Sequence, residues 1–449
     1  MSGSGPSSWL SGWHWRERIN NFTPSWFTIC MGTGTVSQIL VNFPYPYTGG
    51  TYWMRNLAYC FWILDIVLFG IFTAFLVIRY IRHPILMKKT VMEFPTCSYL
   101  GAIPIALDTI ITGISSFYNY RDSGRWTAYG LWWFNVALTL LVCVGLLIVQ
   151  MTKQEEHAMS DVAGLWLMTC VPMVITAALG ATLLPYLSWK TGIACLVVSF
   201  LLWTSGLVLI HLILACYFWR LISHHLPAQQ LLGSGFLPMA PLSQGAFAAQ
   251  QFSIYLSNYL SKKHYAPTQS HPPPLSPQIL EATGEAIHWL GIIVSLFLLA
   301  HATFWFIQAT AAMLIGLPKK FNIGLWSLVF PIGAYCNGWE VLSRDLRNDG
   351  MRGWSATVLV LVSIIWLFCA LCTVYLGFWK GELFFAPGLE DWLYKEKDDE
   401  QQNGEQSNGR RISYNGTYRM EKPKQKDEEN GNGNANGSQN GTQSKERND

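Results

Sequence analysis

Phe94–Thr109 reads FPTCSYLGAIPIALDT. The run is apolar enough for hydrocarbon, yet Pro104 interrupts it and the acid Asp108 follows four residues on. Proline inside a helix deletes a hydrogen bond and kinks the chain. In a membrane such a break is tolerated only where protein, polar side chains or a water-filled cavity satisfy the freed carbonyls. A broken, acid-bearing span therefore belongs inside a bundle, away from lipid.

The same feature recurs along the chain. Apolar runs of about 20 residues, the length that crosses a bilayer core, are predicted at about 24–41, 56–78, 97–117, 126–149, 162–184, 191–218, 234–257, 286–315, 322–343 and 354–379. None of these ten ranges contains Lys or Arg, as the cost of charge in hydrocarbon requires. The fifth holds Pro172, the seventh Pro238 and Pro241, the ninth Pro331, and Gly32 and Gly34 take the corresponding place in the first. The even-numbered spans have no interior proline. From Gly34 to Pro104 is 70 residues, then 68 to Pro172, 69 to Pro241 and 90 to Pro331, the excess falling in a proline-rich loop over 258–285. A period of this kind signals repeats. The expected fold is an all-α membrane protein of ten transmembrane helices. They form five parallel helical-hairpin repeats around a central pore, with the odd helices kinked and inner.

Composition agrees. Of 449 residues, 51% are hydrophobic and only 13% charged, against about 25% charged in a soluble domain. The net charge of +3 gives no nucleic-acid footprint. The ten cysteines all fall in apolar runs, where they read as small hydrophobes. This includes Cys369 and Cys372, whose Cys-x-x-Cys spacing lies inside the tenth span. The histidines form no metal box and there is no Walker sequence, so neither a cofactor nor an ATP-driven pump is expected.

Three segments are expected. Residues 1–23 are a cytosolic N-terminal stretch with Trp9, Trp13, Trp15, Arg16 and Arg18, suited to a membrane surface. Residues 24–380 form the transporter domain. Residues 381–449 are a polar, disordered cytosolic tail with a short basophilic phosphosite pattern at Ser413 and Asn-Gly-Thr/Ser sequons at Asn415, Asn436 and Asn440. Counting positive charges in the short loops does not fix the orientation. The bases before the first span and after the second favour both termini inside.

Ionisable residues within spans are functional candidates by default. Asp108 and Glu340, on odd spans, are candidates for a proton or anion pathway. Asp65, His211 and His301, on even spans, read better as interhelical hydrogen-bonding groups. Phe330 directly precedes Pro331, and a ring at a kink can plug a pore, although one phenylalanine among 24 usually packs. The broken helices offer dipole ends to an anion, with no Lys or Arg at that depth to hold it tightly.

Asn21–Phe27 (NFTPSWF) with Met31–Gly34 (MGTG), the opening FPTCSYLGAIPIALDT run, and Phe321–Trp326 leading into Phe330-Pro331 together resemble the tellurite-resistance/dicarboxylate transporter family. That family includes the guard-cell slow anion channels, and the similarity points to its fungal sulfite efflux pumps. The resemblance covers about 20–380. It implies a plasma-membrane exporter of sulfite or bisulfite conferring sulfite tolerance. The partners it implies are a small inorganic anion and membrane lipid, and the assembly a homotrimer. It places the pore-gating phenylalanine at Phe330. Malate permeases share the fold, and the residues alone leave a proton-coupled dicarboxylate permease open.

Overall fold

The computed structural model of the chain describes residues 19, 21–43, 45, 52–94, 96–261, 276–316, 318, 321–379 and 383. They lie in one unit, Met1–Leu393. Most of the N-terminal segment, residues 262–275 of the long loop, and the tail with Ser413 lie outside the described residues.

The described residues form helices and turns, with no strand among them. The principal helices are α1 (Phe27–Val41), α2 (Trp53–Arg82), α3 (Ala102–Tyr118), α4 (Asp122–Thr152), α5 (Val171–Leu183), α6 (Trp189–His224), α7 (Met239–Ser261), α8 (Pro277–Ile315), α9 (Val329–Asp345) and α10 (Asp349–Thr373). A short helix, Pro84–Met92, follows α2, and α10 ends in a π-helical turn, Val374–Trp379.

Odd and even helices differ in kind. The even ones run 30, 31, 36, 39 and 25 residues. They leave large apolar side chains exposed along their length, among them Leu141, Leu212, Phe297, Ile307 and Leu371. Continuous apolar surface of that extent is stable against lipid, not water. The odd α1, α3, α5 and α9 are 13–17 residues long and largely buried. Among the described residues six helical segments are long and apolar enough to cross a membrane, namely the five even helices and Thr96–Tyr118, which contains α3. The chain is an all-α membrane protein. Ten spans are expected. Of the other four odd helices, α1, α5 and α9 are short, at 15, 13 and 17 residues, and α7, at 23, carries polar residues such as Gln244 inward.

The expected proline kinks take another form. Each odd helix is preceded by a 3₁₀ segment: Pro24–Trp26, Thr96–Gly101, Gly164–Thr169, Gln229–Phe236 and Ile323–Leu328. Pro172 is the second residue of α5, and Pro104, Pro241 and Pro331 are the third residues of α3, α7 and α9. There a missing N–H costs nothing, because first-turn N–H groups have no intrahelical acceptor. Pro238 lies in the turn before α7. The break is thus a 3₁₀-to-α junction, not a bend in a continuous helix. Gly32 and Gly34 lie inside an unbroken α1, whose own junction is at Pro24–Trp26.

Each odd helix packs on the even helix that follows it. Contacts also run in succession from α1 to α3, α3 to α5, α5 to α7, α7 to α9 and α9 back to α1, while the 3₁₀ segments touch one another in the same order. Glycine permits the closest of these approaches. A Cβ on Gly101 would strike the Met168 carbonyl, and one on Gly164 the Ser234 carbonyl. Each of four even helices also ties itself to the next odd one through an indole N–H. Trp62 donates to Ile110 O at 3.0 Å, Trp132 to Thr176 O at 3.0 Å, Trp203 to Gly245 O at 2.9 Å and Trp366 to Thr33 Oγ1 at 3.1 Å.

Candidate functional site

A cavity of about 270 Å³ lies among the odd helices. Every residue lining it belongs to α1, α3, α5, α7 or α9 or to their C-terminal continuations. Its deep end is formed by Phe330, Asp108, Ile175 and Gln244, and its other end by Asn42, Asn119, Tyr186, Gln251 and Arg344. Phe330 is the second residue of α9 and Arg344 is in its last turn. They are separated by about 21 Å of helix at 1.5 Å per residue. The wall between is mostly amide and hydroxyl, from Gln38, Thr109, Thr112, Ser115, Thr182 and Asn337. The hydroxyls of Thr112 and Thr182 donate to carbonyls of their own helices and that of Thr109 to Asp65 and Ala106 O, so the neutral wall can replace part of an anion's hydration without holding it tightly.

Phe330 is only 2% exposed and lines the deep end, next to where the 3₁₀ segment Ile323–Leu328 ends. Its placement follows from the junction. Ile323–Leu328 ends at Leu328, α9 starts at Val329, and the first turn carries Phe330 into the space between the odd helices.

Asp108 lines the same cavity at 1% exposure. Both carboxylate oxygens are engaged from behind. Asn135 Nδ2 on α4 donates to Oδ1 at 2.7 Å and to the Pro104 carbonyl at 2.9 Å. Thr176 on α5 donates to Oδ2 at 2.7 Å, and Thr139 lies 2.9 Å from Thr176 Oγ1. A buried carboxylate needs such donors in place of water. The arrangement locks α3 to α4 and α5 at mid-depth.

Glu340 does not line the cavity. It is 1% exposed and accepts from Arg344 Nη2 at 2.8 Å. Arg344 does line it, so a cation is present on the wall where none was expected. The predicted span stopped at residue 343, whereas α9 continues to Asp345 and turns Arg344 inward. None of Gly32, Gly34, Pro104, Pro172, Pro238, Pro241 and Pro331 lines the cavity. The prolines set where the odd helices begin. The glycines let α1 approach its neighbours: a Cβ on Gly34 would overlap Asp65 and Thr109.

Of the even-helix ionisable groups, Asp65 forms the expected interhelical bond, whereas the bonds of His211 and His301 lie within their own helices. Asp65 Oδ2 accepts from Thr109 at 2.8 Å, His211 Nδ1 lies 2.7 Å from Leu207 O, and His301 Nε2 accepts from Trp305 at 3.1 Å. None of the three lines the cavity. Among the described residues no cluster of His, Cys, Asp or Glu could hold a metal ion, and all ten cysteines are free.

Comparison with known proteins bears on the same region. The family described as SLAC1, voltage-dependent anion channel, matches residues 21–374. A sulfite efflux pump of Arthroderma benhamiae is 27% identical over 370 residues, 82% of this chain and 93% of that protein. The sulfite efflux pump of Candida albicans is 23% identical over 407 residues, covering 84% and 77%. A malic acid transport protein of Schizosaccharomyces pombe is 24% identical over 162 residues, covering 35% and 36%.

Proposed function

The chain belongs to the SLAC1 voltage-dependent anion channel family, and from that premise we propose that it exports sulfite or bisulfite through a pathway between its odd helices, gated by Phe330. The observation that carries this reading is the cavity itself. It is walled by all five odd helices, is lined largely by neutral polar groups with Asp108 and Arg344 among them, and has a buried phenylalanine at its deep end. The unbroken succession of contacts from α1 around to α9 and back supports five helical-hairpin repeats about a central axis. The two sulfite efflux pumps, matched over more than four-fifths of this chain, favour sulfite as cargo. Efflux also favours a site in the plasma membrane, and the bases before the first span and after the second favour termini in the cytosol.

The mechanism follows from the wall. An anion entering the cavity exchanges water for neutral polar groups, and the charged groups on the wall are each already partnered, Arg344 by Glu340 and Asp108 by Asn135 and Thr176. At the deep end the Phe330 ring is the barrier, and it holds back a hydrated ion until it moves. An inside-negative membrane potential of 100 mV contributes about 2.3 kcal/mol per charge toward exit. Cells lacking the protein should be sulfite-sensitive and should release sulfite more slowly. Unchanged tolerance together with unchanged efflux in the deletion strain would rule the reading out.

One observation favours a second reading, a proton-coupled dicarboxylate permease. Asp108 faces the cavity, where it could carry a proton. That reading requires malate uptake that rises as external pH falls and that loses this dependence in Asp108→Asn. Malate flux insensitive to both would eliminate it.

A further inference from the structure

Arg344 is the one Lys or Arg on the cavity wall among the described residues. Its side chain is half exposed, and its Nη2 donates to Glu340 Oε1 at 2.8 Å. Glu340 is sealed in the protein, and its Oε2 has no hydrogen-bond partner among the described residues. The pair therefore has a direction, with its negative end buried and its positive end at the cavity. The neighbouring acid, Asp345, is engaged elsewhere, 3.0 Å from His288 Nε2. A guanidinium has five donors in a planar fork that matches oxyanions, and the bond to Glu340 leaves most of them available.

We propose that Arg344, positioned by Glu340, is a capture site for small oxyanions at the open end of the cavity, and that Glu340 keeps its hold weak. The proposal rests on reading the cavity as an anion pathway. An unpaired arginine beside the pathway would hold a dianion too long for rapid turnover, since conduction needs binding that is weak enough to release. The buried carboxylate offsets that attraction while fixing the guanidinium in place. Arg344 is then a selecting residue and Glu340 its positioning and moderating partner. Capture at this end is separate from gating at Phe330, at the far end of α9.

The two side chains should act with opposite sign. With the full chain in proteoliposomes, flux is measured against chloride and sulfite concentration at low and high ionic strength. Arg344→Gln should raise the half-saturating concentration roughly tenfold, more for sulfite than for chloride, and flatten the dependence on ionic strength. Glu340→Gln, which is nearly isosteric, should lower the half-saturating concentration severalfold and reduce the maximal rate. Arg344→Lys should retain the salt dependence and lose part of the preference for sulfite. Wild-type half-saturation in Arg344→Gln, or a rise in Glu340→Gln matching that of Arg344→Gln, would overturn the proposal and leave the pair a structural brace. If Arg344→Gln does not fold, Glu340→Gln decides, because only capture predicts tighter binding. Chloride flux without sulfite flux would refute the cargo while the chloride data still test Arg344. Wild-type protein carrying neither anion would sink both.

Discussion

Gly34 shows how little room the inner helices leave. A methyl group there would meet Asp65 Oδ2 and the Thr109 side chain, which are already joined by a 2.8 Å hydrogen bond. Neither is the free end of a flexible chain, so Gly34→Ala should destabilise the protein by about 1–3 kcal/mol, read as a lowered unfolding midpoint in detergent. Gly70 in α2 is the control: nothing lies within 4 Å of the position of its Cβ. Gly70→Ala should be neutral or stabilise by up to about 1 kcal/mol. Similar losses at both sites would mean that the close approach at Gly34 is not what the glycine serves. Phe330 presents a mixed case. It is 2% exposed yet borders the cavity, so Phe330→Ala should cost less than the 3–5 kcal/mol of a fully enclosed phenylalanine and leave a folded protein.

The α9–α10 corner shows how an element boundary places a side chain. Arg347 follows the end of α9 with φ 50°, a left-handed conformation that favours glycine. Asn348 N–H then closes back on Ser343 O at 3.1 Å, and its side chain caps α10 by accepting from Met351 N at 3.0 Å. Asn348→Ala should cost about 1 kcal/mol, and Arg347→Gly should gain up to about 1 kcal/mol. Both are measurable as opposite shifts of the unfolding midpoint, and shifts of the same sign would contradict the assignment. Such boundaries were the least legible part of the sequence. The prolines marked the right helices but were read as interior kinks, because nothing in composition announces a 3₁₀ lead-in. Arg344 was missed because the apolar pattern fades at residue 343 while hydrogen bonding carries α9 two residues further. The indole ties leave a trace in the sequence: Trp62, Trp132 and Trp203 are spaced 70 and 71 residues apart, close to the period of the prolines.

For the molecule as a whole, the alternation of plain and proline-bearing runs was the most informative signal, since it separates lipid-facing from enclosed helices before any contact is known. It foresaw which helices line the cavity. It did not foresee that the enclosed ones can be short and polar, because helices shielded by neighbours need not satisfy the bilayer's demand for length and apolarity. Phe330 and Asp108 both border the cavity. The spacing of residues 108 and 330 along the chain says nothing of that; only the closed succession of odd helices puts them on one wall. The most direct test of an anion pathway closed by Phe330 is flux from proteoliposomes loaded in parallel with sulfite, malate, nitrate and chloride, under a clamped inside-negative potential. Sulfite efflux well above malate, and increased several-fold by Phe330→Ala, is the expected result. Equal flux in the wild type and a well-folded Phe330→Ala, or malate flux tracking a proton gradient with little sulfite, would contradict it.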